Sequence, residues 1–101
     1  MINNNQKIHS YIGLAMRAGK VVSGDDTTLK ELKKGRVYLV IVAEDASDNT
    51  KKLFKDKSTY RKVDQILFST KVELGLSIGK SPRAVLGIKD KSLSQKILEL
   101  M

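Results

Sequence analysis

The sequence predicts an α/β protein: a single-domain, three-layer α/β/α sandwich around a small mixed, largely parallel four-stranded sheet, spanning residues 1–101. Three observations lead there. Segments with apolar residues at helical spacing alternate with short apolar runs in the order α-β-α-β-α-β-α-β-α, a pattern that buries strands between helices. The run Tyr38-Leu39-Val40-Ile41-Val42-Ala43 is unbroken and too short for a buried helix, the mark of a strand covered on both faces. No repeat, low-complexity tract or Pro/Gly/Ser-rich linker divides the 101 residues, and Pro82 is the sole proline, so one folding unit is expected.

The elements follow in order. Ile8, Tyr11, Ile12 and Ala15 recur at i, i+3, i+4 and i+7, which predicts an amphipathic helix over 5–18 with Gly19 as its stop. Val21-Val22 reads as a short extended piece. Ser23 with Asp26 three residues later has the spacing of a capping box, opening a second helix that buries Leu29 and Leu32 and closes at Gly35. After the central strand, Ser47 or Asp48 caps a third helix that turns Leu53 and Phe54 inward and its lysines outward. Residues 63–68 form a weaker strand. Thr70 and Glu73 make another capping-box spacing, for a short helix running to Gly79. Residues 80–83 form a tight loop, 84–88 a strand, and Leu93, Ile97 and Leu100 one face of a last helix.

The charge balance is strongly basic, with 19 Lys and Arg against 11 Asp and Glu, a formal +8. Its distribution is local. From Arg17 to Arg36 six basic residues face three acidic ones, and from Lys51 to Lys62 six face one; together these stretches carry the whole excess. Such a field attracts polyanions. The absence of cysteine excludes disulfides, thiolate-bound zinc, iron–sulfur ligation and thiol catalysis. The start, Met1-Ile2-Asn3-Asn4-Asn5-Gln6, has no apolar signal core, and no window approaches the ~18 apolar residues of a bilayer span. A cytoplasmic protein without a membrane partner is expected.

Catalytic chemistry has little to build on. His9 is the single histidine and reads as a partly exposed imidazole on the first helix, with no second ligand or patterned carboxylate beside it. Glu44-Asp45 follows the central strand at its C-terminal end, where an α/β enzyme places acidic groups. The same pair also suits a plain helix-entry loop. Gly13 and Gly19-Lys20 do not form a P-loop: they lie within a helix, five residues instead of four separate the glycines, and Val21 stands where a hydroxyl is needed. No cofactor or metal is expected.

Two segments carry more information. In Val22-Ser23-Gly24-Asp25-Asp26-Thr27-Thr28-Leu29-Lys30 a strand runs into a glycine and then into a helix whose first turn is small and polar. Free N–H groups and the positive helix end converge there, Gly24 permits close backbone approach, and Lys30 lies further along to meet a phosphate. A purely structural reading stays open, in which Asp25 and Asp26 complement the helix dipole and Thr27 and Thr28 fill the first turn. In Leu74-Gly75-Leu76-Ser77-Ile78-Gly79-Lys80-Ser81-Pro82-Arg83, Gly75 and Gly79 share a helix face ahead of a rigid cationic loop. There too, Pro82 as a mere turn former and Arg83 as a solvated charge is an open reading.

Taken together, Gly24-x-Asp26-Thr27-x-x-Lys30, the strand with its following Glu44-Asp45, and Leu74-Gly75-x-x-x-Gly79 resemble the L7Ae type of kink-turn-binding ribosomal proteins over about Ile8 to Ile88, nearest its short bacterial YlxQ-like branch. The resemblance implies a non-catalytic sandwich that binds RNA where a three-nucleotide bulge precedes tandem sheared G·A pairs. It sets Gly24, Asp26, Thr27 and Lys30 against the guanine edges and backbone of the G·A pairs, and Asp25, Lys33 and Lys34 are expected to bind RNA with them. Lys80, Ser81, Pro82 and Arg83 then meet the bulge. Where the family often has Asn then Glu, this chain has Asp26 then Thr27, and a charged Lys80-Ser81-Pro82-Arg83 replaces an apolar loop. The expected partner is structured RNA, with ribosomal RNA among the candidates, bound by a monomer. Two rival readings remain: a small-ligand or nucleotide-processing enzyme using Glu44 and Asp45, and a basic adaptor whose Lys51, Lys52 and Lys55 dock an acidic protein.

Overall fold

The computed structural model of the chain describes residues 3–101; Met1 and Ile2, the first residues of the polar N-terminal stretch, lie outside them. The elements are α1 (Asn4–Arg17), β1 (Val21–Ser23), α2 (Asp25–Lys33), β2 (Leu39–Val42), α3 (Asp48–Arg61), β3 (Asp64–Leu67), α4 (Lys71–Ser77), β4 (Val85–Ile88) and α5 (Lys91–Glu99). All nine expected elements form, within a few residues of their expected bounds. Helices α2 and α3 pack on each other and cover one face of the sheet. Helices α1, α4 and α5 cover the other. The sandwich is therefore three-layered, and β2 is buried at every position, as its unbroken apolar run requires.

The sheet order is β1-β4-β2-β3. Only β2 and β3 pair parallel; β4 runs antiparallel to both β1 and β2. The expectation of a largely parallel sheet is thus corrected to a mixed sheet with one parallel pair. Long α3 carries the chain back across the sheet between β2 and β3, but α4 has seven residues and rises only about 10 Å. The chain therefore re-enters the sheet at the end it has just left, with Val85 opposite Val42. Because β4 takes a central place, this single reversal makes two antiparallel pairs.

Helix ends follow the expected chemistry except at two. Asn3 and Gln6 form a reciprocal capping box on α1, Ser47 caps α3 and Asp90 caps α5. Thr70 caps α4 by accepting from the Glu73 N–H at 3.2 Å, but the Glu73 carboxylate turns to His9 instead of completing the box. The Ser23–Asp26 box does not form: Gly24 is the N-cap of α2 and no side chain caps its first-turn N–H groups. Ser23 belongs to β1, and its hydroxyl is taken by Arg83.

His9 is more integrated than a surface imidazole. Its side chain is 21% exposed, its ring lies 4.9 Å from that of Phe68, and its Nδ1 and Nε2 sit 2.6 and 3.1 Å from the hydroxyls of Ser77 and Ser69. Because Ser77 donates to the Glu73 carbonyl, Nδ1–H donates to Ser77 and Nε2 accepts from Ser69. Burial lowers the His9 pKa, and the nearby Glu73 carboxylate opposes that shift. A histidine kept neutral in the folded state makes folding less favourable once pH drops below the unfolded value near 6.5, since the unfolded chain then binds the extra proton. The urea midpoint is expected to fall between pH 7.5 and 5.5, and to fall less in His9→Gln. Equal declines in both proteins would exclude this network as the source.

Candidate nucleic-acid interface

The junction between β1 and α2 is built on Gly24. Its φ of +87° and ψ of 157° lie in a region open in practice to glycine alone. This turn lets the Gly24 N–H donate to the Val85 carbonyl at 3.1 Å while its own carbonyl starts the helix by accepting from Thr28. A Cβ on Gly24 would meet nothing within 4 Å, so the glycine is needed by the backbone and leaves an open space above it. With no side-chain cap, the first-turn N–H groups of α2 point into that space beside the exposed side chains of Asp25, Asp26 and Thr27. Asp25 also takes a long hydrogen bond from Thr50 on α3, at 3.5 Å. Thr28 points inward, fully buried.

The loop after α4 comes to the same place. Gly79 at φ +70° ends the helix, with the Lys80 N–H donating to the Gly75 carbonyl at 2.8 Å. The loop then doubles back over α4 so closely that a Cβ on Gly75 would stand 2.3 Å from the Ser81 carbonyl oxygen. Gly75 is thus where the loop backbone, not another helix, meets α4. Arg83 closes the arrangement: its Nε donates to Ser23 Oγ at 3.1 Å, and its Nη1 to the hydroxyl and carbonyl of Ser81 and to the Pro82 carbonyl. Arg83 is a staple between loop and β1, not a solvated charge, while Lys80, Ser81 and Pro82 stay exposed.

Gly24, Asp25, Asp26 and Thr27 are therefore brought beside Ser81, Pro82 and Arg83. Lys30 lies one turn beyond Asp26 on the same helix face. Lys33 and Lys34 are not part of this cluster. They stand at the far end of α2, about 13 Å along its axis from Gly24 by the helix rise, where Arg61 donates to the Lys33 carbonyl at 2.8 Å.

Two features escaped the sequence reading. Ser23 is the loop's anchor, a partnership 60 residues apart in the chain that no local pattern signals. Val72 and Leu76 are exposed on α4, Leu76 by 71%; their i, i+4 spacing beside buried Leu74 and Gly75 was the available sign of a second apolar face. Asp45, a carboxylate of the rival enzyme reading, accepts from the Lys71 N–H at 2.8 Å and so caps α4. Among the described residues no His, Cys, Asp and Glu gather as a metal site, and no helix is long and apolar enough to cross a membrane.

Comparison with known proteins agrees with this architecture. The chain is 44% identical over 98 residues to the RNA-binding protein YlxQ of Enterococcus faecium, covering 97% of this chain and 94% of that one. To the RNA-binding protein YlxQ of Bacillus subtilis it is 43% identical over 90 residues, covering 89% and 90%. A solved Bacillus halodurans structure, of a protein with unknown function, superposes with a TM-score of 0.90 at 36% identity, covering 93% of this chain and 95% of that one. The family model for the ribosomal protein L7Ae/L30e/S12e/Gadd45 family matches residues 6–98, and with these relatives it establishes that the chain belongs to that family.

Proposed function

We propose that the protein is a non-catalytic RNA-binding module that recognises kink-turn RNA as a single unit, using the α2 entrance and the loop at 80–83 as one surface. The observation that carries this reading is the staple from Arg83 to Ser23, supported by the bond from Gly24 to Val85. A sharply bent RNA presents its G·A pairs and its bulge to one side, and these contacts hold two matching protein segments side by side. The Asp26 carboxylate can accept from guanine N1–H and N2–H groups, the bare N–H groups of α2 and Lys30 suit phosphates, and exposed Leu76 with Pro82 offers apolar contact to unstacked bulge bases. The relatives named RNA-binding proteins support the partner class. Ribosomal RNA is the partner that the family suggests, and a cytoplasmic monomer without cofactor suffices for the task.

The test is an affinity comparison between a kink-turn RNA and a straight duplex of equal length across a salt series. Tighter binding to the kink-turn is expected, and equal affinities would refute shape-specific recognition. In the same series Lys30→Ala is expected to weaken binding and to reduce the slope of log affinity against log salt by about one unit, the loss of one phosphate contact. An unchanged slope removes Lys30 from the interface.

A further inference from the structure

The end of the sheet opposite Gly24 holds a feature that kink-turn recognition does not use. There the C-terminal end of α3, the strand starts of β2 and β3, and α5 enclose a groove of about 200 Å³, whose lining includes Tyr38, Lys62, Asp64, Lys91, Ser94 and Gln95. Tyr38 is 48% exposed. Ser94 lines the groove floor at 2% exposed, and its hydroxyl, like those of Thr28 and Ser58, is buried without a partner among the described residues. The surroundings are cationic. Arg36 and Lys89 are held by Glu31 at 3.6 and 3.0 Å, but Lys62, Lys91, Lys33 and Lys34 enter no ion pair among the described residues, against the single carboxylate of Asp64 in the groove.

We infer that this groove is a second RNA contact that takes an unpaired nucleotide, its base stacked on Tyr38 with its polar edge toward Gln95, and the flanking phosphates on Lys62 and Lys91. An exposed ring in a basic groove is the combination that holds single strands, and the groove is sized for one base, not for a duplex. This inference rests on the reading of the protein as an RNA binder and extends it from the bent element to the strand leaving it.

The test uses the ¹⁵N-labelled full chain and two RNAs: a mixed-sequence single-stranded octaribonucleotide, and a blunt kink-turn without single-stranded ends. The octamer is expected to shift the amides of Tyr38, Lys62, Asp64 and Lys91 to Gln95. Tyr38→Ala is expected to weaken octamer binding about tenfold while Tyr38→Phe retains it, and neither should alter affinity for the blunt kink-turn. Failure of the kink-turn reading is seen separately, as equal affinity for the blunt kink-turn and for a straight duplex of the same length. No octamer shifts at all, or shifts confined to Gly24–Lys30 and Lys80–Arg83, would overturn the second contact. So would an octaglutamate peptide that reproduces the shifts at equal affinity, since it would make the groove a site for acidic protein segments.

Discussion

Gly75→Ala is expected to weaken kink-turn binding by at least about tenfold, the loss of one well-made contact worth about 1–3 kcal/mol. The cause is steric and local. The new Cβ would lie 2.3 Å from the Ser81 carbonyl oxygen, 2.7 Å from its carbon and 2.9 Å from the Lys80 oxygen. These are backbone atoms, so no side chain can swing aside and the loop itself must lift from α4. Lifting it pulls Arg83 from Ser23 and separates the two halves of the proposed surface. Stability supplies an independent reading with a distinctive sign. Within a helix, alanine is favoured over glycine by about 0.5–1 kcal/mol, so propensity alone predicts a stabilised protein. The clash predicts the opposite, a loss of about 1–3 kcal/mol of the kind seen when a packed site is overfilled. A denaturation midpoint above that of the parent, together with unchanged RNA affinity, would mean that the loop does not need Gly75.

Gly87→Val is expected to give the largest loss of stability, about 1–3 kcal/mol, read as a melting temperature lower by roughly 4–8 °C per kcal/mol in a domain of this size. Gly87 sits in β4, buried at the sheet centre, and a Cβ there would meet Val22 at 2.9 Å and the methyls of Thr28 and Val37 at 3.2 Å. Val22 and Val37 are short and branched, with little room to turn away. Thr28 is, with Leu32, one of the two buried residues of α2. Filling the space beneath it pushes the helix outward and carries Asp26 and Lys30 out of line with the loop, so RNA affinity is expected to fall even below the unfolding temperature. A variant that loses stability but binds RNA as before would show that the seating of α2 on β4 does not set the interface.

How far the sequence alone reaches can be judged from particular residues. The central strand was legible because Leu39 to Val42 are apolar without interruption, and a strand buried on both faces leaves that trace. Ser47 and Thr70 were legible as caps because capping is a contact over three residues. The direction of β4 was not, since it depends on the length of α4 and on which end of the sheet the chain is left at. Ser23 was assigned to a cap because its spacing to Asp26 fits one; pairing of Val22 with Gly87 draws Ser23 into β1, and a residue in a strand cannot also cap the next helix. Lys33 and Lys34 were joined to the site by chain proximity alone, and the helix axis carries them to its other end. That Arg83 staples the loop to β1 was not legible, because its partner Ser23 lies 60 residues away.

The same contacts define what binding must look like. Adding one equivalent of kink-turn RNA to the labelled protein, and following the amides of Asp25–Thr27 and of Ser81–Arg83 in one titration, measures whether the two segments act as one surface. Both sets are expected to shift together and saturate at the same RNA concentration, with a straight duplex producing neither pattern. Shifts in one segment while the other stays still would contradict it.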